Sequence, residues 1–230
     1  MLTLENTLIR QGEFSLTADF SIQPGMRVAV IGPSGAGKST LLNLLAGFLD
    51  PETGRVLNQG QDMTRAAPGE RPLAMLFQDN NLFPHLTVAQ NVGLGIRPDL
   101  RLDATQASRV EAALKRVGLE GYGPRKPAAL SGGQQSRVAL ARVLVQDKPW
   151  VLLDEPFAAL GPALKVEMLD LVAEVLDETG AGLLMVSHDP QDARRIAPHT
   201  VLVADGVAYA PTATRDLLDN PPPALRTYLG

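Results

Sequence analysis

Residues 32–39 constrain the fold of this chain more than any other segment. They read Gly-Pro-Ser-Gly-Ala-Gly-Lys-Ser and fit the pattern G-x-x-x-x-G-K-[ST] throughout. An apolar run at residues 27–31 precedes them, and residues 39–46 follow with the apolar spacing of a helix. This order of strand, glycine loop and helix is the setting in which the pattern binds phosphate. The segment therefore predicts an α/β domain with a phosphate site at the start of a helix.

Glycines in this loop can turn backbone N–H groups toward one point, and the following helix adds its positive end. Lys38 is expected to reach the β and γ phosphates of a nucleotide, and Ser39 to place its hydroxyl on Mg²⁺. The alternative is a glycine-rich turn with a surface lysine, which the complete match disfavours. The motif alone does not separate kinases, GTPases and ATPases. The predicted nucleotide-binding residues are Gly32, Pro33, Ser34, Gly35, Ala36, Gly37, Lys38, Ser39 and Thr40.

The composition is that of an ordinary globular domain. The chain has 230 residues, of which 45% are hydrophobic and 20% charged, enough for one large core or a core with a smaller lobe. A formal net charge of −4 offers no broad basic surface, which disfavours DNA or RNA as a partner. The absence of cysteine excludes disulfides and cysteine-ligated metals.

The sequence shows neither the pattern of a signal peptide nor a run of roughly 18 apolar residues. We therefore expect a chain that is not exported and that spans no membrane. Any role at a membrane is expected to depend on a partner.

Apolar patterns outside the loop predict the sheet. Residues 14–22 alternate between apolar and polar side chains, and the segment with Leu2 and Leu4 alternates in the same way. These two segments are therefore predicted to form two antiparallel edge strands. Residues 150–153 and 182–187 are apolar runs, each followed by a polar turn and a helical stretch. The sequence therefore predicts a mainly parallel sheet wrapped by helices, with an antiparallel β subdomain at its edge.

The middle of the chain is expected to be helical. Strand patterns are scarce between residues 80 and 148, whereas residues 104–117 and 131–146 carry helical periodicity. We predict one nucleotide-binding domain over residues 1–230. Its core would be formed by residues 1–79 and 149–230, with residues 80–148 as an inserted helical subdomain.

Two carboxylates follow the apolar run at residues 150–153, at the end of a predicted strand where open parallel sheets gather ligands. Asp154 is expected to hold Mg²⁺, directly or through water. Glu155 can point the other way and act as a general base on the attacking water. A purely structural Asp-Glu turn is the alternative, and the phosphate loop elsewhere in the chain makes it the weaker interpretation.

The sequence Leu-Ser-Gly-Gly-Gln at residues 130–134 opens a predicted helix. Ser131 can cap that helix, and Gly132 and Gly133 expose backbone N–H groups at its positive end. The chain then carries two phosphate-binding surfaces. One nucleotide could bridge two copies, which predicts a homodimer.

The motifs in this order resemble the ATPase subunit of an ABC transporter. They are the phosphate loop, Gln78 after an apolar run, the LSGGQ segment at residues 130–134, the acidic strand ending in Asp154 and Glu155, and His188 after residues 182–187. The resemblance covers almost the whole chain. It implies a P-loop NTPase fold, with ATP and Mg²⁺ as cofactors and ATP hydrolysis as the activity.

The resemblance also implies individual roles. Gln78 would contact Mg²⁺ and the attacking water, and His188 would hold the γ phosphate, alongside Lys38 and the base Glu155. Taken alone, a glutamine after a strand usually has no such role, and a single histidine is more often a surface or capping residue. The residues expected to hold Mg²⁺ are Ser39, Gln78 and Asp154. Those expected to contact ATP from the second copy are Ser131, Gly132, Gly133 and Gln134.

Two positions depart from the family pattern. Gly161 stands where similar proteins carry an aspartate that links the two nucleotide sites, so communication between the sites is expected to be weaker. Residues 9–11 are Ile-Arg-Gln where the family usually offers an aromatic that stacks on adenine. Phe14 or Arg10 could substitute for that aromatic.

Within the family, residues 75–95, 41–48 and 184–188 closely resemble the ATPases of bacterial thiamine importers. That resemblance implies a transmembrane permease as partner and, indirectly, a periplasmic or extracellular substrate-binding protein. It also implies a peripheral position on the cytoplasmic face of the bacterial inner membrane. Importers of iron, sulfate, molybdate or polyamines share much of these stretches and stay open as alternatives.

A rival hypothesis is a soluble ATPase of the same superfamily that acts on DNA or ribosomes. Such proteins carry a coiled coil or a second cassette and a basic surface. This acidic single-cassette sequence has none of these features. A non-catalytic binding module is disfavoured because Lys38, Glu155 and His188 are all present.

Overall fold

The computed structural model describes residues 1–229, with side chains as far as Arg226. Its strands are β1 (Leu2–Gln11), β2 (Phe14–Ile22), β3 (Arg27–Ile31), β4 (Thr53–Asn58), β5 (Gln61–Asp62), β6 (Leu73–Leu76), β7 (Trp150–Asp154), β8 (Gly182–Val186), β9 (His199–Ala204), β10 (Val207–Ala208) and β11 (Thr212–Ala213). Its helices are α1 (Lys38–Ala46), α2 (Val88–Gly93), α3 (Ala104–Arg116), α4 (Gly132–Leu144), α5 (Pro162–Thr179), α6 (Pro190–Ile196), α7 (Thr214–Asp219) and α8 (Pro223–Leu229).

These strands form one mixed sheet in the order β5-β4-β1-β2-β10-β9-β3-β8-β7-β6, with β11 beside β9. Strands β9, β3, β8, β7 and β6 run parallel to one another. Strands β5, β4, β1 and β2 pair antiparallel at the other end. The α/β architecture with an antiparallel subdomain, predicted from the sequence, is confirmed.

The parallel strands are apolar throughout because both of their faces are buried. In β3, Val28 and Val30 belong to one hydrophobic cluster and Ala29 and Ile31 to the other. Helix α1 packs into the first cluster, together with the antiparallel strands. Helices α2 to α6 pack into the second. The site described below lies at the carboxyl ends of these strands.

Helices α2, α3 and α4 lie between β6 and β7 in the chain and pack on one another. The predicted helices at residues 104–117 and 131–146 differ from α3 and α4 only at their ends. Capping explains where they begin: Asp103 accepts from the Gln106 backbone N–H at 2.8 Å, and Ser131 accepts from that of Gln134 at 3.4 Å.

Strands β4, β5, β10 and β11 were not anticipated from the sequence. They are short or largely exposed, and Thr53–Asn58 has a single fully buried residue, Val56. Too few apolar residues alternate in them to give a strand pattern. They are strands because they pair with neighbouring strands in the sheet, which the sequence pattern does not show.

A buried arginine holds the carboxyl end of α1. Arg71 is 1% exposed and donates to the carbonyl oxygens of Leu44 and Leu45, both at 2.8 Å, and to that of Thr64, also at 2.8 Å. Leu44 and Leu45 lie in the last turn of α1, where a cation also meets the negative end of the helix dipole. Arg71 thereby fixes the helix whose other end carries the phosphate loop.

No helix within residues 1–229 is both long enough and apolar enough to cross a bilayer.

Candidate functional site

The phosphate loop passes from the end of β3 to the start of α1 through a path that only glycine can follow. Gly32 has a φ of 153°, and a Cβ atom there would lie 2.0 Å from the Val203 carbonyl oxygen of β9. Gly35 and Gly37 also have positive φ, at 77° and 105°. Glycine at these three positions leaves backbone N–H groups and the helix start to face an anion.

Lys38 is held across the loop before any ligand binds. Its Nζ donates to the carbonyl oxygens of Gly32 and Pro33, both at 2.9 Å, and the residue is 8% exposed. Burial lowers the pKa of Lys38, and the nearby carboxylates of Glu155 and Asp154 oppose that shift. The ammonium therefore lies within the loop, close to the carboxylates of Glu155 and Asp154.

Ser39 and Asp154 form an oxygen pair suited to a divalent cation. Ser39 Oγ donates to Asp154 Oδ1 at 3.0 Å. Adjacent ligands of an octahedral Mg²⁺ site with bonds of about 2.1 Å also lie about 3 Å apart. Burial raises the pKa of Asp154, the Ser39 hydrogen bond opposes this, and Glu155 adds to it. These residues fit Mg²⁺, because a bound cation would offset the free-energy cost of burying the charged carboxylate.

Gln78 lies two residues beyond β6, and β6 pairs with β7 so that Leu76 faces Leu153. The glutamine is exposed and belongs to the same sheet edge as Asp154. Its loop continues through two left-handed residues, Asn80 and Asn81.

Helix α4 anchors the loop that follows Gln78. Arg142 donates to the carbonyl oxygens of Asn80 and Asn81 at 2.7 and 2.8 Å. Asn80 Nδ2 donates to Ser136 Oγ at 3.2 Å. Among the described residues, Asn80 Oδ1 is the one buried side-chain oxygen or nitrogen without a hydrogen-bond partner. The loop is thus tied to the helix that begins with the LSGGQ segment.

Replacing Asp154 with asparagine is expected to stabilise the protein in buffer without Mg²⁺. Folding raises the pKa of Asp154, so its charge destabilises the fold at pH values above that pKa, and the effect fades as the pH falls through it. At pH 7.5 we expect a rise in Tm of about 2–4 °C, the shift that about 1 kcal/mol gives in a chain of this size. Mg²⁺-dependent hydrolysis should be lost.

Thermal unfolding of Asp154→Asn at pH 7.5 and at stepwise lower pH measures this difference. Glu174→Gln, which changes an exposed carboxylate in the middle of α5, is the control and should leave Tm unchanged. If the Tm difference for Asp154→Asn does not shrink on acidification, the raised pKa of Asp154 is contradicted.

Glu155 adopts a backbone conformation that is rare outside glycine. Its φ is 45°, and its N–H donates to the Val186 carbonyl at 3.2 Å. Such strain costs of the order of 1–3 kcal/mol and clusters at functional sites. Glu155 Oε2 lies 3.5 Å from Nδ1 of His188, and both side chains are accessible. The structure therefore brings these two candidates together at the ends of β7 and β8.

A cavity of about 340 Å³ joins Glu155, but not His188, to the phosphate loop. Besides the loop it is lined by Gln11, Phe14 and Glu155. The Phe14 ring lies against Gly37, where a Cβ atom would be 2.6 Å from Phe14 Cζ. Arg10 instead pairs with Glu52 at 3.3 Å. Of the two substitutes for a stacking aromatic, Phe14 borders the cavity.

The LSGGQ segment starts α4 away from this cavity. Ser131 Oγ and the Gln134 side chain form a reciprocal cap, and Gln134 Nε2 donates to Tyr122 Oη at 3.4 Å. Gly133 packs closely on α5, since a Cβ atom there would lie 2.3 Å from Leu164 Cδ2, whereas Gly132 is open. Residues 131–134 do not line the phosphate-loop cavity of their own chain.

Gly161 is the N-cap residue of α5 and gives that helix no side-chain cap. Its φ of −64° and the free space around its Cα would accept an aspartate. The structure therefore does not require glycine at this position.

Comparisons with known proteins identify the family to which this chain belongs. A profile of the family described as ABC transporter matches residues 16–158. This chain belongs to the ABC transporter family. It is 62% identical to the thiamine import ATP-binding protein ThiQ of Cereibacter sphaeroides and 63% identical to ThiQ of Ruegeria sp., in both cases over 230 residues and 100% of each chain.

Solved structures give the same assignment. The ADP conformation of MJ1267, an ATP-binding cassette of an ABC transporter, superimposes with a TM-score of 0.89 at 26% identity, covering 100% of this chain and 98% of that one. A dimeric post-hydrolysis state of the cassette MJ0796 bound to ADP and Pi gives 0.80 at 30% identity over 94% and 99%. The predicted P-loop ABC ATPase fold and family are confirmed.

Proposed function

We propose that this ABC subunit hydrolyses ATP to drive the import of thiamine. The observation that carries the proposal is the identity of 62–63% to ThiQ proteins over the full chain. ThiQ relatives from Jannaschia and Mesorhizobium, 52% and 50% identical, extend the same likeness. Importers of iron, sulfate, molybdate or polyamines are the alternative.

The arrangement of the site suits phosphoryl transfer to water. The loop N–H groups and the Lys38 ammonium bind the β and γ phosphates of ATP. Glu155 accepts a proton from the attacking water, and His188, 3.5 Å from that carboxylate, donates to the γ phosphate. Mg²⁺, held by Ser39, Asp154 and Gln78, neutralises phosphate charge when bound. Phe14 packs against the nucleoside.

A homodimer completes the site in this proposal. Residues 131–134 of a second copy face the γ phosphate across the interface, with Ser131 and the backbone N–H groups of Gly132 and Gly133 as donors. Two observations support the pairing: the segment lies outside the cavity of its own chain, and the related cassette MJ0796 has a dimeric structure. Closing and opening of the pair would accompany each cycle of hydrolysis.

The dimer would drive a transmembrane permease, which receives its cargo from an external substrate-binding protein. We assign residues 80–148 as the helical subdomain that meets the permease near Gln78, and residues 1–79 and 149–230 as the core. The subunit would sit peripherally on the cytoplasmic face of the inner membrane.

Uptake of radiolabelled thiamine tests the proposal in cells that lack this gene. Uptake should fall, and the wild-type gene should restore it whereas Glu155→Gln should not. Restoration by Glu155→Gln would remove the catalytic assignment. If uptake never falls in cells without another thiamine importer, thiamine is the wrong cargo. The same cells would then be tested with labelled iron, sulfate, molybdate and polyamines.

A further inference from the structure

A partly buried lysine on α5 reaches the loop that carries His188. Lys165 lies in the first turn of α5, where its N–H donates to the Gly161 carbonyl at 2.9 Å. Its Nζ lies 2.5 Å from Asp189 Oδ2 and 2.9 Å from Asp192 Oδ1. The Lys165 side chain is 18% exposed. Asp189 directly follows His188, so the contact fixes the backbone next to the histidine.

The same two carboxylates organise the turn around His188. Ser187 Oγ donates to Asp192 Oδ2 at 2.7 Å and accepts from the Asp189 N–H at 3.0 Å. Asp189 Oδ1 accepts from the Gln191 N–H at 2.9 Å and caps α6. Both neighbours of His188 are therefore held by hydrogen bonds that converge on Asp189 and Asp192.

Charge balance in this cluster depends on Lys165. Burial opposes protonation of Lys165, but hydrogen bonds to Asp189 and Asp192 outweigh it and raise its pKa. The hydrogen bond from Lys165 is in turn the main reason that the pKa of Asp189 is lowered. Removing the ammonium would leave two neighbouring carboxylates to repel each other beneath the His188 turn.

Together with the backbone, these contacts form a closed path that connects Glu155, Lys165 and His188. The chain runs from Glu155 through residues 156–161 into α5, the Lys165 side chain crosses to Asp189, and His188 returns to Glu155 at 3.5 Å. Lys165 and His188 both line a second cavity of about 500 Å³ that the phosphate loop does not border. Lys165 does not line the phosphate-loop cavity, so its contact with that site runs through the His188 turn.

We propose that Lys165 is a positioning residue that holds His188 beside Glu155 by locking the His188 turn to the first turn of α5. The proposal rests on the ATP hydrolysis proposed above. It links residues 156–161, the segment before α5, to the placement of the histidine. The side chain of residue 161 has no part in this connection, so the connection works with glycine there.

A second ion pair provides the matched control. Asp170 on α5 and Arg195 on α6 make two hydrogen bonds of 2.6 and 2.7 Å, so this pair joins the same two helices. Neither residue contacts the His188 turn through a recorded hydrogen bond or ion pair in the described residues. Removing this pair therefore measures how much an ion pair between α5 and α6 alone contributes to kcat.

The experiment compares Lys165→Met, Lys165→Arg and Arg195→Met in the purified full chain, with ATP hydrolysis and binding of a fluorescent ATP analogue as readouts. Misplacing a catalytic group by about 1 Å can cost 10²-fold. We expect Lys165→Met to lower kcat by about 10–100-fold with analogue Kd changed by less than about 3-fold. Lys165→Arg should restore kcat to within about 3-fold, because arginine can reach both carboxylates.

Several results would overturn the inference. They are an unchanged kcat in Lys165→Met, an equal loss in Arg195→Met, or no rescue by Lys165→Arg. If Lys165→Met does not fold, Asp189→Asn replaces it, since asparagine keeps the α6 cap while weakening the contact to Lys165, and an unchanged kcat there also overturns the inference. A wild-type chain without ATPase activity overturns the proposed function itself, and this inference with it.

Discussion

Glu155→Gln is expected to bind ATP normally and to hydrolyse it about 10²–10⁴-fold more slowly than the wild type. Glutamine keeps the shape of the side chain but cannot accept a proton from water. The contact to His188 is retained in form, because the amide oxygen can occupy the position of Oε2. Phosphate release from the purified chain measures kcat, and equilibrium binding of ATP measures affinity.

Because hydrolysis should precede opening of the pair, the same variant is expected to accumulate as a dimer on size-exclusion chromatography in ATP and Mg²⁺. Glu120→Gln is the control, since Glu120 is an exposed carboxylate that pairs with Lys115 at 3.5 Å. It should behave as the wild type. Normal turnover in Glu155→Gln would assign the base to another group.

Gly32→Ala is expected to destabilise the fold by about 3–5 kcal/mol, among the largest effects of a single substitution. The added Cβ atom would meet the Val203 carbonyl oxygen at 2.0 Å, which is backbone of a central strand and cannot rotate away. The φ of 153° adds strain. Chemical denaturation measures the loss in free energy of unfolding, and ATP affinity should fall with it because the loop must shift.

The control for this substitution is Gly12→Ala. Gly12 has a φ of 59° but no atom within 4 Å of its Cβ position. It should therefore show only the cost of a left-handed alanine, about 1–2 kcal/mol. Equal losses in the two variants would show that contact with Val203 is not what requires glycine at position 32.

The sequence revealed those parts of the site whose residues are neighbours in the chain. The phosphate loop is one continuous motif, and Asp154 and Glu155 follow an apolar run that reads as a buried strand. Strands β3, β7 and β8 were predictable for the same reason, because burial on both faces makes them apolar throughout.

Contacts between distant residues could not be predicted in this way. Ser39 and Asp154 meet only because β3 and β7 lie near one another in the sheet. Phe14 reaches Gly37 through the turn between β1 and β2, whose geometry no periodicity specifies. A lysine at position 165 reads as an ordinary helix-surface residue until α6 is placed beside α5. The left-handed conformation of Glu155 likewise has no signal in its residue type.

The position of residues 131–134, outside the cavity of their own chain, bears on how activity scales with concentration. If each site is shared between two molecules, the rate follows the number of pairs, so diluting the chain lowers the activity of every copy. A permease that holds two subunits side by side raises their effective concentration far above the bulk value. Free subunits would then hydrolyse little ATP until they are assembled on the permease.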